Sequence, residues 1–169
     1  MRALDKARGD GLELLSGGTA TIRDDGSLEA DEDALAELDV VRGEATGTDE
    51  KTLTRKLVAA VKGARLQVLA RPFSGKPQSF DVEAVTKAAR AKGVVFEVDA
   101  RAERLPGADG YVRAVKDAGG RLGIASHAAR PEELGRMRYG LDQARRGWCT
   151  AEDVVNTRSR DALAKLLER

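Results

Sequence analysis

A chain of 169 residues that is 41% hydrophobic and 34% charged is too apolar for disorder and too short for two full domains, so one folded unit over residues 1–169 is expected. Aromatic residues supply only 4%, so the interior must be built from Ala, Val, Leu and Ile, which favours layered helix and sheet packing. Net charge is +1, yet residues 1–50 carry 5 Lys and Arg against 14 Asp and Glu while residues 51–169 carry 24 against 14, an asymmetry that two compensating surface halves account for without any partner.

In chain order, Leu12 to Leu15 through Thr19 to Ile22 reads as a glycine-interrupted strand, and Asp24-Asp25-Gly26-Ser27 supplies turn chemistry. Asp31–Glu37 predicts a short acidic helix and Leu38–Val41 a second strand. Thr48 is the expected N-cap of a helix to about Lys62, with Leu53, Leu57, Val58 and Val61 on one face. Arg65–Ala70 is the third strand, closed by Arg71-Pro72 and a loop containing Lys76. Asp81 opens a helix to Lys92 that Gly93 ends, and Val94–Val98 is the clearest strand of the chain. A helix over Ala108–Ala118 stops at Gly119-Gly120, and Leu122–Ser126 is the last strand. Pro131 then starts a long helix to about Arg146, followed by short helices around Glu152 and over Ser159–Leu167.

Strands alternating with helices of about 10–15 residues predict βα units and a mostly parallel sheet, so the class is α/β. Ligands in such folds gather at the carboxyl ends of the strands, here near Thr19 to Thr21, Thr46, Arg71-Pro72, Asp99 to Arg101 and Ser126 to Ala129. No apolar run reaches the about 18–20 residues of a membrane span, and the first residues lack a signal peptide's apolar stretch, so a cytoplasmic protein without a membrane partner is expected. Cys149 stands alone, which excludes an intrachain disulfide, and with His127 the one histidine no zinc site of the Cys/His type can be assembled.

The run from Pro131 to Gly140, continuing through Ala144-Arg145-Arg146-Gly147-Trp148 to Asp153-Val154-Val155-Asn156-Thr157, resembles the C-terminal end of the PHP (polymerase and histidinol phosphatase) domain of bacterial X-family DNA polymerases. The likeness extends back through Leu105, Glu97, Leu69-Ala70-Arg71-Pro72 and Gly26-Ser27-Leu28. It implies a partial, distorted (β/α)₇ barrel with outer helices, metal ions at the strand ends and hydrolysis of phosphoesters, in the polymerase case at DNA 3′ ends. It also implies a single PHP-like domain cut short at its start, since the family's opening His-x-His and Asp-His motifs have no counterpart.

At the implied metal positions the resemblance breaks. The family's Gly-x-Glu-x-Asp element reads Gly17-Gly18-Thr19-Ala20-Thr21, its histidine near the next strand end aligns with Thr46, its His-Pro pair is Arg71-Pro72, and its Asp-Ala-His triplet is His127-Ala128-Ala129. Divalent ions in two-metal hydrolysis need several carboxylates and imidazoles, and an arginine in their place repels the cation it replaces. The expectation is therefore a metal-free, cofactor-free pseudoenzyme serving as a binding or scaffolding module in DNA repair or replication. The rivals are a metal-dependent phosphoesterase or 3′-5′ exonuclease completed by a second subunit, and a folded remnant without activity.

The phosphate-binding candidates are Arg71, Lys76, Arg101, Arg130 and His127, which would cradle a DNA backbone through bidentate hydrogen bonds; the competing reading is an internal ion-pair network with Glu44, Glu97, Asp99 and Glu103. Glu97 and Asp99 share a strand face, and a salt bridge to Arg71 or Arg101 is expected there rather than acid–base work. Ser126 and His127, as strand neighbours, point apart and form no nucleophilic couple, and Cys149 is expected to be a buried, inert thiol. About five strands cannot close such a barrel, so a homodimer, an N-terminal barrel half or a rearranged local cap is expected to cover the open sheet edge.

Overall fold

The computed structural model describes residues 14–45, 49–70, 72 and 80–167. Five parallel strands, β1 (Gly17–Thr21), β2 (Val40–Glu44), β3 (Val68–Ala70), β4 (Val95–Asp99) and β5 (Arg121–Ala125), lie side by side in chain order. Helices α1 (Glu32–Ala36), α2 (Glu50–Gly63), α3 (Val82–Lys92) and α4 (Ala108–Asp117) connect them, and α5 (Met137–Arg146) and α6 (Arg160–Leu167) follow β5. Crossovers between parallel strands are right-handed, so an unbroken 1-2-3-4-5 order carries each connecting helix to the same face of the sheet. The helices accordingly form one layer, α2 against α3, α3 against α4 and α4 against α5. A doubly wound sheet would reverse direction and cover both faces; this one follows the course of part of a barrel wall, the α/β architecture expected from the sequence.

The helix layer is held by local signals and by apolar burial. Asp81 Oδ1 accepts from Ala84 N–H at 2.9 Å to start α3, and Gly93, at φ 63°, ends it in the left-handed conformation that costs glycine nothing. The cap of α2 is Asp49, whose Oδ1 accepts from Thr52 N–H at 2.9 Å; the expected cap, Thr48, lies outside the described residues. Val41, Leu69, Phe96, Val98, Leu122 and Ile124 point from the strands into the helices and are buried with Leu53, Leu57, Val85, Val112 and Val115, each large side chain worth about 1.5–3 kcal/mol. Phe96 meets Tyr111 of α4 edge-on at 6.3 Å between ring centroids.

Several expected elements are placed differently, the third strand among them, which begins at Val68 rather than Arg65. The second strand covers Val40–Glu44 rather than Leu38–Val41, because pairing with β1 and β3 (Thr19 with Arg42, Gly43 with Leu69) extends it through residues with weak strand propensity. The long helix from Pro131 is a 3₁₀ helix over Pro131–Arg136 followed by α5, and Glu133 reaches back to accept from Ala129 N–H at 2.8 Å. No helix forms around Glu152: Asp153 Oδ2 instead accepts from Thr150 N–H at 2.8 Å in a turn, ahead of a 3₁₀ turn over Val155–Thr157. Within α5, Gly140 packs so tightly on β5 that a Cβ would collide with the Ile124 side chain.

The β5 edge is closed from within the chain. Leu122 N–H donates to the Asp153 carbonyl at 2.9 Å. The Asn156 side chain then accepts from Ile124 N–H at 2.7 Å and donates to the Ile124 carbonyl at 3.0 Å, so one amide imitates the next strand. This local cover serves the β5 edge alone. Among the described residues no helix is long and apolar enough to cross a membrane.

Candidate functional site

Side chains two apart on a strand share a face, so β4 sends Phe96 and Val98 into the helix layer and Val95, Glu97 and Asp99 to the opposite face. The parallel register puts Arg42 of β2 on that same face, in the row of Val68 and Val95. Two strand spacings, about 10 Å, separate β2 from β4, and a long arginine side chain can cross them because β3 presents only Ala70 beside Val68. Arg42 Nη2 accordingly donates to Glu97 Oε2. The Glu97 side chain is 3% exposed and that of Arg42 26%, so the acid is taken out of water with its counter-charge in place, as a buried carboxylate requires.

The loop after β5 contributes His127, at φ 49° in the left-handed region that non-glycine residues rarely adopt. This turn sets the imidazole across the strand ends: Nε2 lies 2.9 Å from Glu97 Oε1, 3.7 Å from Asp99 Oδ2 and 3.4 Å from Arg42 Nη2. A carboxylate only accepts, so the 2.9 Å contact puts the proton on Nε2. Ser126 is not His127's partner; its Oγ accepts from Ala128 N–H at 3.3 Å.

Asp99 is held on its other side by Arg101. Nε donates to Oδ1 at 3.0 Å, Nη2 to Oδ2 at 2.5 Å, and the Arg101 backbone N–H to Oδ1 at 3.1 Å. Burial pushes the Asp99 carboxyl up, but these side-chain and backbone hydrogen bonds, with the charges of His127 and Arg101, outweigh it and hold the group below its ordinary range. Beneath the cluster, burial and then the Glu97 charge push the Tyr111 hydroxyl well above its usual range.

The expected site residues therefore separate. Arg101 and His127 meet around Asp99, Arg130 is exposed on the loop before the 3₁₀ helix, and Arg71, Lys76 and Thr46 lie outside the described residues. The salt bridge of the β4 carboxylates to Arg101 is present at Asp99, with Glu103 more distantly at 3.9 Å from Arg101 Nε, while Glu97 takes Arg42, a residue the sequence reading passed over. The alternation Val41, Gly43, Ala45 was the available signal: small or apolar residues at every second position place Arg42 inside a strand, where it needs an acid. Cys149 is half-buried, and burial, then the Asp153 charge, pushes its thiol up to about 11, as an inert thiol requires.

Glu97, Asp99 and His127 are the one group among the described residues whose donor atoms gather as metal ligands do, all within 4.8 Å of one another. They do not fit the metal cluster that the PHP resemblance implies. Two or three divalent ions need more than three donors, and both carboxylates already carry guanidinium partners, one of which, on Arg42, also touches the imidazole nitrogen a metal would take.

A sequentially wound parallel sheet with an ion-pair cluster at its strand ends is thus the class of molecule on view. No family model matches the chain. In an alignment of 168 positions that covers 95% of the chain, it is 26% identical to the DNA polymerase/3′-5′ exonuclease PolX of Bacillus subtilis (strain 168), of which it spans 30%. The likeness relates the chain to one region of that polymerase and exonuclease.

Proposed function

We propose that the chain is a PHP-like domain, related to the X-family DNA polymerases, that binds or scaffolds in DNA metabolism without hydrolysing phosphoesters. The observation that carries this reading is the occupation of the strand-end carboxylates by Arg42 and Arg101. Hydrolysis of the family type requires ions that generate hydroxide and stabilise the departing oxygen. Here the cations are guanidiniums, which are always charged and have no open coordination position. Arg101 spends its charge on Asp99, so phosphate contact falls first to Arg130, exposed on the neighbouring loop, with Arg71 and Lys76 as further phosphate ligands. His127, engaged by two acids, serves as a positioning group.

Purified protein should contain no stoichiometric manganese or zinc and leave 3′-labelled DNA intact when manganese is added. It should bind DNA with an affinity that falls steeply with salt, and Arg130→Ala combined with Arg71→Ala should weaken that binding without unfolding the chain. Metal-dependent, EDTA-sensitive trimming would overturn the binding-only reading, and no DNA affinity at any ionic strength would overturn the DNA partner.

A further inference from the structure

The carboxylates and imidazole at the strand ends are spaced for one ion, not for two or three. A zinc ion with bonds of about 2.0–2.1 Å in tetrahedral coordination holds its ligand atoms about 3.4 Å apart. His127 Nε2 lies 2.9 Å from Glu97 Oε1 and 3.7 Å from Asp99 Oδ2, values on either side of that spacing. The donors are also well held: Glu97 and Asp99 project from adjacent positions on one face of β4, both side chains are nearly inaccessible, and the His127 ring is tied to them by its 2.9 Å contact with Glu97 Oε1. Arg101 on the far side of Asp99 is the kind of outer hydrogen-bond partner that orients a ligating carboxylate. Three protein donors with a fourth, open position is the ligand count of a single-zinc site.

Against such an ion stands Arg42. Its Nη2 donates to Glu97 Oε2, the carboxylate oxygen turned away from His127, and stands 3.4 Å from His127 Nε2, close enough that its permanent charge repels an entering cation. We propose that Arg42 is a built-in stopper for a latent mononuclear site, formed by Glu97, Asp99 and His127, for a borderline divalent ion such as Zn²⁺ or Co²⁺. The site rests on the metal-free reading above and explains how the chain stays metal-free despite keeping three donors. With Arg42 removed, two carboxylates face Arg101 alone, and a divalent ion supplies the missing positive charge. The imidazole proton then moves to Nδ1, leaving the Nε2 lone pair for the ion.

The test titrates Zn²⁺ and, separately, Co²⁺ into the tag-free, chelator-stripped full chain carrying Cys149→Ser, alone and with Arg42→Ala, Arg42→Met, or Arg42→Ala plus His127→Ala. The parent should take up no stoichiometric ion. Both Arg42 variants should bind one Zn²⁺ per chain at least a hundredfold more tightly than the parent and give the visible absorption of tetrahedral Co²⁺, and loss of His127 should weaken binding at least tenfold and remove the absorption. Arg42 variants as inert as the parent would overturn the stopper and leave the metal-free reading standing, whereas a parent that binds one Zn²⁺ through His127 would overturn both. If an Arg42 variant is unfolded without metal, Zn²⁺ must restore its helical circular dichroism, and failure to do so counts against the proposal.

Discussion

On one face of the sheet, Val41, Leu69, Phe96, Val98, Leu122 and Ile124 lie against the helix layer, all buried and all apolar; one residue out of phase on the same strands, Arg42, Glu97 and Asp99 form a charged cluster. The apolar face draws on a non-directional effect that grows with area, so each residue contributes on its own and losses add. The charged face works differently, since a buried carboxylate is tolerable only while its partner is present. The first face specifies a fold and tolerates change in proportion to volume, whereas the second is an all-or-none arrangement whose members have meaning only together.

The largest effect is expected where the first face is broken. Phe96→Ala removes the fully buried ring between β4 and α4, with its edge contacts to Tyr111, and should cost about 3–5 kcal/mol in urea denaturation. Arg42→Ala, on the second face, should cost about 3 kcal/mol by leaving Glu97 buried without its guanidinium. The comparison sharpens in the double variant Arg42→Met/Glu97→Leu, which replaces the pair by apolar groups of similar size and should recover most of that loss, since such exchanges are often neutral or stabilising. If the double variant is as unstable as the sum of the singles, the charged face is additive after all. Asn156→Ala, at the sheet edge between the two faces, removes two hydrogen bonds to Ile124 and should cost about 2 kcal/mol by the same measurement.

How far each face could be read from the sequence follows from the range of the interactions that set it. β4, and α3 between its Asp81 cap and Gly93 stop, announce themselves through local periodicity and end signals, and both lie where expected. The Glu97 and Asp99 pair was legible because a period of two is a local property, and Arg101 was legible as a neighbour in sequence. Arg42 was less so: the alternation of Val41, Gly43 and Ala45 is a weak local signal, and Arg42-Gly43-Glu44 becomes strand only through pairing with β1 and β3. The stop at Val41 therefore hid the cation that completes the site. The positive φ of His127 has no sequence signature, and the edge cap by Asn156 depends on a turn 32 residues away from Ile124. Neither could be inferred without tertiary structure.

The smallest expected effect tests whether Asp99 belongs wholly to the charged face. Its carboxyl is held below the ordinary range because the Arg101 hydrogen bonds and the neighbouring positive charges outweigh the opposing pull of burial. A native carboxyl with a depressed pKa binds fewer protons than its unfolded counterpart. Its stabilisation is therefore fully present above the unfolded value, about 3.9 for aspartate, and is lost as pH falls through the lower folded value. Urea midpoints measured from pH 6 downward should begin to drop near pH 4 and continue to fall below it, and Asp99→Asn should flatten the lowest part of that curve while lowering its plateau. Arg101→Ala should produce the same flattening, because it is the Arg101 contact rather than burial that sets the direction of the shift. If Arg101→Ala leaves the acid limb unchanged, His127 carries the interaction instead, and His127→Ala then has to flatten it.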